Sequence, residues 1–119
     1  MRHGRASIAF VLCGTVVTVL CLFAVWPASA AVAGRTYTVI MKGMKFSPST
    51  LRVQKGDTIV FKNSDLVPHT ATAKQGRVFD SGMIKPGESW TFVPTSRASV
   101  PYSCTFHPMM EGRIEIEEP

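Results

Sequence analysis

The sequence predicts an all-β fold: a Greek-key β-sandwich of seven or eight short strands, preceded by an N-terminal signal segment. Three observations carry this. From residue 35 onward, apolar and polar residues alternate in short runs, the two-residue period of a half-buried strand. Gly, Pro, Asn and Asp interrupt those runs about every 8–12 residues. No stretch beyond the N-terminal segment keeps a helical apolar period over helical length.

The elements follow in order. Residues 36–42 set Tyr37, Val39 and Met41 against Thr36, Thr38 and Lys42, and Gly43 ends the run. Residues 46–53 read as a turn leading into a second strand. Gly56 and Asp57 make the next turn, and 58–63 is a third strand with Ile59 and Phe61 inward. After the Pro68–His69 corner, 70–73 is a weak fourth strand, 74–77 a loop, and 78–81 an edge segment before Gly82. Pro86 and Gly87 turn the chain into 89–93, which places Trp90 and Phe92 on one face. Residues 100–104 lead into a loop, and 112–117 closes the fold with Ile114 and Ile116 inward.

The first 30 residues have a different character. Arg2 and Arg5 precede an uncharged run over 6–25, and Ala28-Ser-Ala30 offers a small-residue cleavage site. The reading is a signal peptide over 1–30, cut after Ala30 or Ala33, and one domain over 35–119, exported to the periplasm. The apolar run is also long enough to span a bilayer, so the alternative is an uncleaved N-terminal membrane anchor. Neither Cys13 nor Cys21 follows a small residue, which argues against a lipid anchor. A net charge of +5 over the full chain, dispersed along it, is too mild to suggest nucleic acid.

Cysteine usage is more informative. Of three cysteines, Cys13 and Cys21 leave with the signal segment, and Cys104 stands alone in an oxidising compartment. It opens the stretch Cys104-Thr-Phe-His107-Pro-Met-Met110, with a thiolate, an imidazole and a thioether at steps of three. Soft sulfur suits Cu(I), imidazole serves both oxidation states, and a weak axial Met completes a trigonal His₂Cys site. Past the signal segment the only other histidine is His69. The expected site is one copper ion cycling Cu(I)/Cu(II), held by His69, Cys104, His107 and Met110. Pro68 and Pro108 adjoin the two histidines and restrict their backbones.

Other chemistries fit less well. A structural zinc site wants four strong N, S or O ligands, and one Cys with two His falls short. Cysteine catalysis needs an orienting third residue and an oxyanion motif, and no glycine-rich motif accompanies Cys104. Met41 and Met44, flanking Gly43, are expected to pack as strand core or turn, Met83 as packing or surface. A fragment of a multicopper oxidase or nitrite reductase would need further histidines for a catalytic copper.

Phe46-x-Pro48, Leu51-x-Val53, Gly56-Asp57-Thr58, Asn63-x-Asp65, Pro68-His69 and Tyr102-x-Cys104-x-x-His107-Pro108-x-Met110, then Gly112, together resemble the cupredoxins. Within the amicyanin and plastocyanin-like group, the steps from Cys104 to His107 and from His107 to Met110 resemble the amicyanin loop; other plastocyanin relatives keep a longer His-to-Met gap. The resemblance implies a blue type 1 copper protein that transfers electrons and is not an enzyme. It also implies an apolar port around His107, Pro108 and Met109, where redox partner proteins dock, and a monomer. Two residues depart from the pattern. Thr70 stands where amicyanins often carry Asn, which predicts a weak or missing tie between the ligand loops, and Met109 replaces a commonly aromatic residue. The same ligands would serve the alternative function, periplasmic copper binding and delivery. Membrane contact is expected only through an uncleaved leader, and nucleic-acid contact not at all.

Overall fold

The computed structural model describes residues 32–119; the expected signal peptide, 1–30, lies outside them. Eight strands run in chain order: β1 (Thr36–Lys42), β2 (Lys45–Ser47), β3 (Thr50–Gln54), β4 (Thr58–Asn63), β5 (Thr72–Ala73), β6 (Ser89–Phe92), β7 (Ala98–Ser103) and β8 (Glu111–Glu117). They form two four-stranded sheets, ordered β2-β1-β4-β6 and β3-β8-β7-β5. β1 with β4 and β3 with β8 pair in parallel, and the other ladders are antiparallel. No described residue is helical. The all-β sandwich expected from the alternation is the fold observed.

The alternating residues meet between the sheets. Val39, Met41, Ile59 and Phe61 face inward from the first sheet, and Val53, Val100, Tyr102, Ile114 and Ile116 from the second. Phe61 sits at the centre, with ring centroids of Phe46, Phe79, Trp90 and Tyr102 at 6.4, 5.8, 6.0 and 5.5 Å. Emptying such a position costs about 3–5 kcal/mol, so this cluster anchors the sandwich. Met41 is core as expected, while Met44 and Met83 are exposed.

Three details differ from the alternation reading. Residues 46–53 divide between two strands in different sheets, because the chain crosses at Pro48 and Ser49. Residues 78–81 make no strand; a single bridge joins Thr72 to Asp80. β5 is only two residues long, since the preceding backbone is taken up by the segment opposite. There His69 bridges Ile84, and Ser81 N donates to Ala71 O over 3.0 Å.

Gly112 is required by close approach rather than by its backbone angles. It lies opposite Tyr102 in the β7–β8 ladder. A Cβ there would collide with Cζ and Oη of the fully buried Tyr102 ring. Burial also pushes the Tyr102 phenol well above its ordinary pKa.

Candidate metal centre

The first ligand arm begins where β4 ends. Asn63 is fully buried, and its Nδ2 donates to Val67 O (2.8 Å) and Ile84 O (2.9 Å). Its Oδ1 accepts from Asp65 N at 2.9 Å. The 64–68 loop is therefore wound around one amide side chain. His69 follows, its backbone clamped to Ile84 by bonds of 3.1 and 2.8 Å, and its ring is fully buried.

Asp65 orients that ring. Its Oδ2 lies 2.7 Å from His69 Nε2, while Gly43 N donates to Oδ1 (2.8 Å) and Met44 N to Oδ2 (3.2 Å). Burial by itself would raise the Asp65 carboxyl. The Gly43 N–H, the His69 ring and the Met44 N–H outweigh it and hold the group below its usual value. An ionised Asp65 accepts from Nε2–H, so the ring proton stays on Nε2 and the Nδ1 lone pair is left free for a metal.

The second arm is the loop after β7. Cys104 N donates to Met110 O (3.0 Å) and Met110 N to His107 O (2.8 Å), which closes the loop upon itself. Cys104 is fully buried and Met110 is 2% exposed, whereas Met109 is 95% exposed. Of the two adjacent thioethers, only that of Met110 is buried.

Thr70 joins the arms, contrary to the expectation of a weak tie. Its backbone N–H donates to Cys104 Sγ at 3.3 Å. Its Oγ1 accepts from Thr105 N at 2.9 Å and lies 3.1 Å from Thr105 Oγ1. A hydroxyl both donates and accepts, so Thr does here what an amide side chain would do elsewhere. Among the described residues the backbone N–H that donates to Sγ is that of Thr70.

Nδ1 of His69 and Nδ1 of His107 stand 3.9 and 3.6 Å from Cys104 Sγ. One donor atom from each of the three residues lies within 4.8 Å of the others. Three donors placed trigonally around one ion, with metal–N near 2.0 Å and metal–S near 2.3 Å, would set N and S about 3.7 Å apart. The spacing fits a single small ion. Two imidazoles, one thiolate and a buried thioether match the donor preferences of copper. His107 is partly exposed, the other two donors are buried, and the histidine rings meet edge-on at 5.1 Å.

Asp65 and Asn63 are the residues whose roles the sequence reading did not assign. Their signal is present in Asn63-x-Asp65, six and four residues ahead of His69, but a carboxylate at that spacing fits a turn equally well.

Comparisons with known proteins agree with this architecture. The cupredoxin-like domain family matches residues 15–116. Amicyanin of Paracoccus denitrificans is 29% identical over 94 residues, covering 76% of this chain and 72% of that protein. Amicyanin-alpha of Methylorubrum extorquens is 28% identical over 91 residues, covering 73% and 76%. A solved structure of a reduced amicyanin variant superposes with TM-score 0.65 at 26% identity, over 75% of this chain and 87% of that one. A copper-containing nitrite reductase from Thermus scotoductus superposes with TM-score 0.66 at 30% identity, over 71% of this chain but 23% of the enzyme. By fold, by motif and by the extent of the match, the chain belongs to the cupredoxin-like family.

Proposed function

We propose that this is a mononuclear type 1 copper protein that carries single electrons between exported redox partners. The observation that carries the reading is the convergence of His69 Nδ1, Cys104 Sγ and His107 Nδ1 beside the buried Met110. His69, Cys104 and His107 would hold the ion, with the thioether of Met110 as a further, weaker donor. Copper supplies the chemistry, a one-electron change between Cu(II) and Cu(I). The protein keeps the donors still while the charge changes. Bonds from Asn63, Asp65 and Thr70 brace both arms through protein groups alone, so little reorganisation accompanies each transfer. The bond from Thr70 N to Sγ stabilises thiolate charge and helps to set the potential.

Buried ligands favour carrying electrons over handing on copper. An exchanging carrier needs donors that an incoming chelator can reach, and His69 and Cys104 are closed to solvent. The electron port is then the partly exposed His107, with Pro108 and the 95%-exposed Met109 around it. Phe106, 48% exposed, and Leu66, 96% exposed, are further exposed apolar side chains on the two ligand loops. Residues 1–30 would export the chain, which intact mass measurement after periplasmic expression tests. Cleavage leaves a mature start at residue 31 or 34. A retained N-terminus favours the anchor instead.

The deciding experiment is the visible and electron paramagnetic resonance spectrum of the copper-loaded chain. An intense blue thiolate-to-copper band with a reversible one-electron couple is expected. A colourless complex without a couple would overturn the reading.

A further inference from the structure

We propose that the outer face of the β2-β1-β4-β6 sheet is the docking surface for an acidic patch on a redox partner protein, with Lys42, Lys45 and Lys62 as its contacts. The proposal rests on the electron-carrier reading and adds the partner's charge. In the register of this sheet Lys42 lies directly opposite Lys45, and Ile40 lies opposite Lys62. All three lysines are exposed and alternate with the buried Met41, Phe46 and Phe61, so they share the outward face. None of them takes part in an ion pair among the described residues. Carboxylates on the segments that flank β4 and β6 are engaged. Asp65 holds Gly43, Met44 and His69, and Glu88 accepts from Lys85 N.

The opposite sheet is built differently. There Arg113 pairs with Glu115, Lys74 with Glu111 and Lys55 with Glu118, and Arg52 lies across from Glu115. Charge is neutralised on one sheet and left single-signed on the other. A directly opposed like-charge pair destabilises a ladder, so Lys42 facing Lys45 is not explained by stability. Guarding an edge strand against unwanted pairing would account for Lys45 on β2, but not for lysines on the interior strands β1 and β4.

Position supplies the link to function. The β1–β2 turn is bonded through Asp65 to the ring of His69, so the basic face borders the rim that carries the ligands. An acidic surface held there would be steered onto that rim and aligned with the port. A three-stranded lysine face without exposed aromatic residues suits a protein surface better than a lipid one.

The test uses the full chain and flavodoxin, an acidic redox protein, as the probe. Binding is read first with the copper-free chain, by amide NMR shifts, which separates a failure of docking from a failure of the copper reading. Shifts are expected in residues 36–47, 58–69 and 104–110, with affinity falling steeply as salt rises. The K42E/K45E/K62E variant should bind about ten-fold or more weakly at low ionic strength, and the Lys→Arg triple variant like the parent. The rate of electron transfer from reduced flavodoxin to the copper-loaded chain should fall in step with affinity. Shifts centred on the β3-β8-β7-β5 sheet, or a charge-reversed variant that is folded by its amide spectrum and binds like the parent, would overturn the proposal. Salt-sensitive binding of phosphatidylglycerol vesicles with no binding of flavodoxin would also overturn it, assigning the lysines to a membrane.

Discussion

Asp65→Asn isolates the contribution of one carboxylate to the redox site. The native group accepts three bonds, from Gly43 N, Met44 N and His69 Nε2. The amide replaces one acceptor oxygen with a donor. If the new NH₂ group faces His69, the imidazole must present a lone pair at Nε2 and carry its proton on Nδ1, the atom needed by the metal. If it faces the β1–β2 turn, it meets the N–H of Gly43 or Met44. In either orientation at least one charge-assisted bond is lost, about 1.5–3 kcal/mol. The substitution also removes a negative charge near the ion. Adding the 2.7 Å bond, the ring and a metal–N bond puts that charge roughly 6–7 Å away. At an effective dielectric constant near 20 the interaction is about 2.5 kcal/mol. For a one-electron couple that is about 110 mV, at 59 mV per factor of ten. The Asp65 side chain is 16% exposed, so solvent screening brings the expected shift down to several tens of millivolts. The carboxylate favours the more positive Cu(II) state, so its loss raises the potential. Protein-film voltammetry of the copper-loaded variant measures this directly. A variant that keeps its blue copper and shows an unchanged or lower potential would mean that the Asp65 charge does not favour Cu(II).

Three other outcomes are expected. Cys104→Ser should abolish the blue absorption and the reversible couple in the visible spectrum and voltammogram; a blue variant would refute Cys104 as a ligand. Met110→Gln should retain copper at a lower potential, whereas an unchanged potential would implicate Met109 despite its 95% exposure. Gly112→Ala should destabilise the copper-free fold by about 1–3 kcal/mol or more in urea unfolding, because a methyl group meets the Tyr102 ring. Stability within about 0.5 kcal/mol of the parent would place the ring elsewhere.

The parts of the fold legible in the sequence were those governed by a local period. Alternation in 36–42, 58–63 and 112–117 named the inward residues, and burial of Val39, Met41, Ile59, Phe61, Ile114 and Ile116 agrees. Segment 46–53 was not legible, because its apolar residues pack from two different sheets and only the crossover at Pro48 separates them. The donor triad was legible because three chemically unusual residue types recur at a fixed step beside a lone upstream histidine. The bracing was not. Whether Thr70 ties the arms depends on where Thr105 N points, a property of two loops 35 residues apart in sequence. Asp65 as a partner for His69 likewise depends on a turn more than 20 residues upstream that shares the carboxylate. The reason for Gly112 was hidden too, since the sequence cannot distinguish a glycine needed for its angles from one needed to admit a neighbouring ring.

The bracing also bears on how the two oxidation states can be served by one geometry. The two buried members of the His-Cys-His triad are fixed by bonds within the protein: His69 by Asp65 and Ile84, Cys104 by Thr70 N and by its own loop closure through Met110. A site held this way resists the ion's preference for a different coordination in each state, because moving a donor would break a bond that the metal did not make. The cost of holding is already met in the folded chain by groups such as Asn63, all of whose amide bonds go to the 64–68 loop and to Ile84. Loss of such a brace should therefore affect electron exchange more than copper affinity. A ligand would still reach the ion, but it would shift between states, and each transfer would carry that motion as an added barrier.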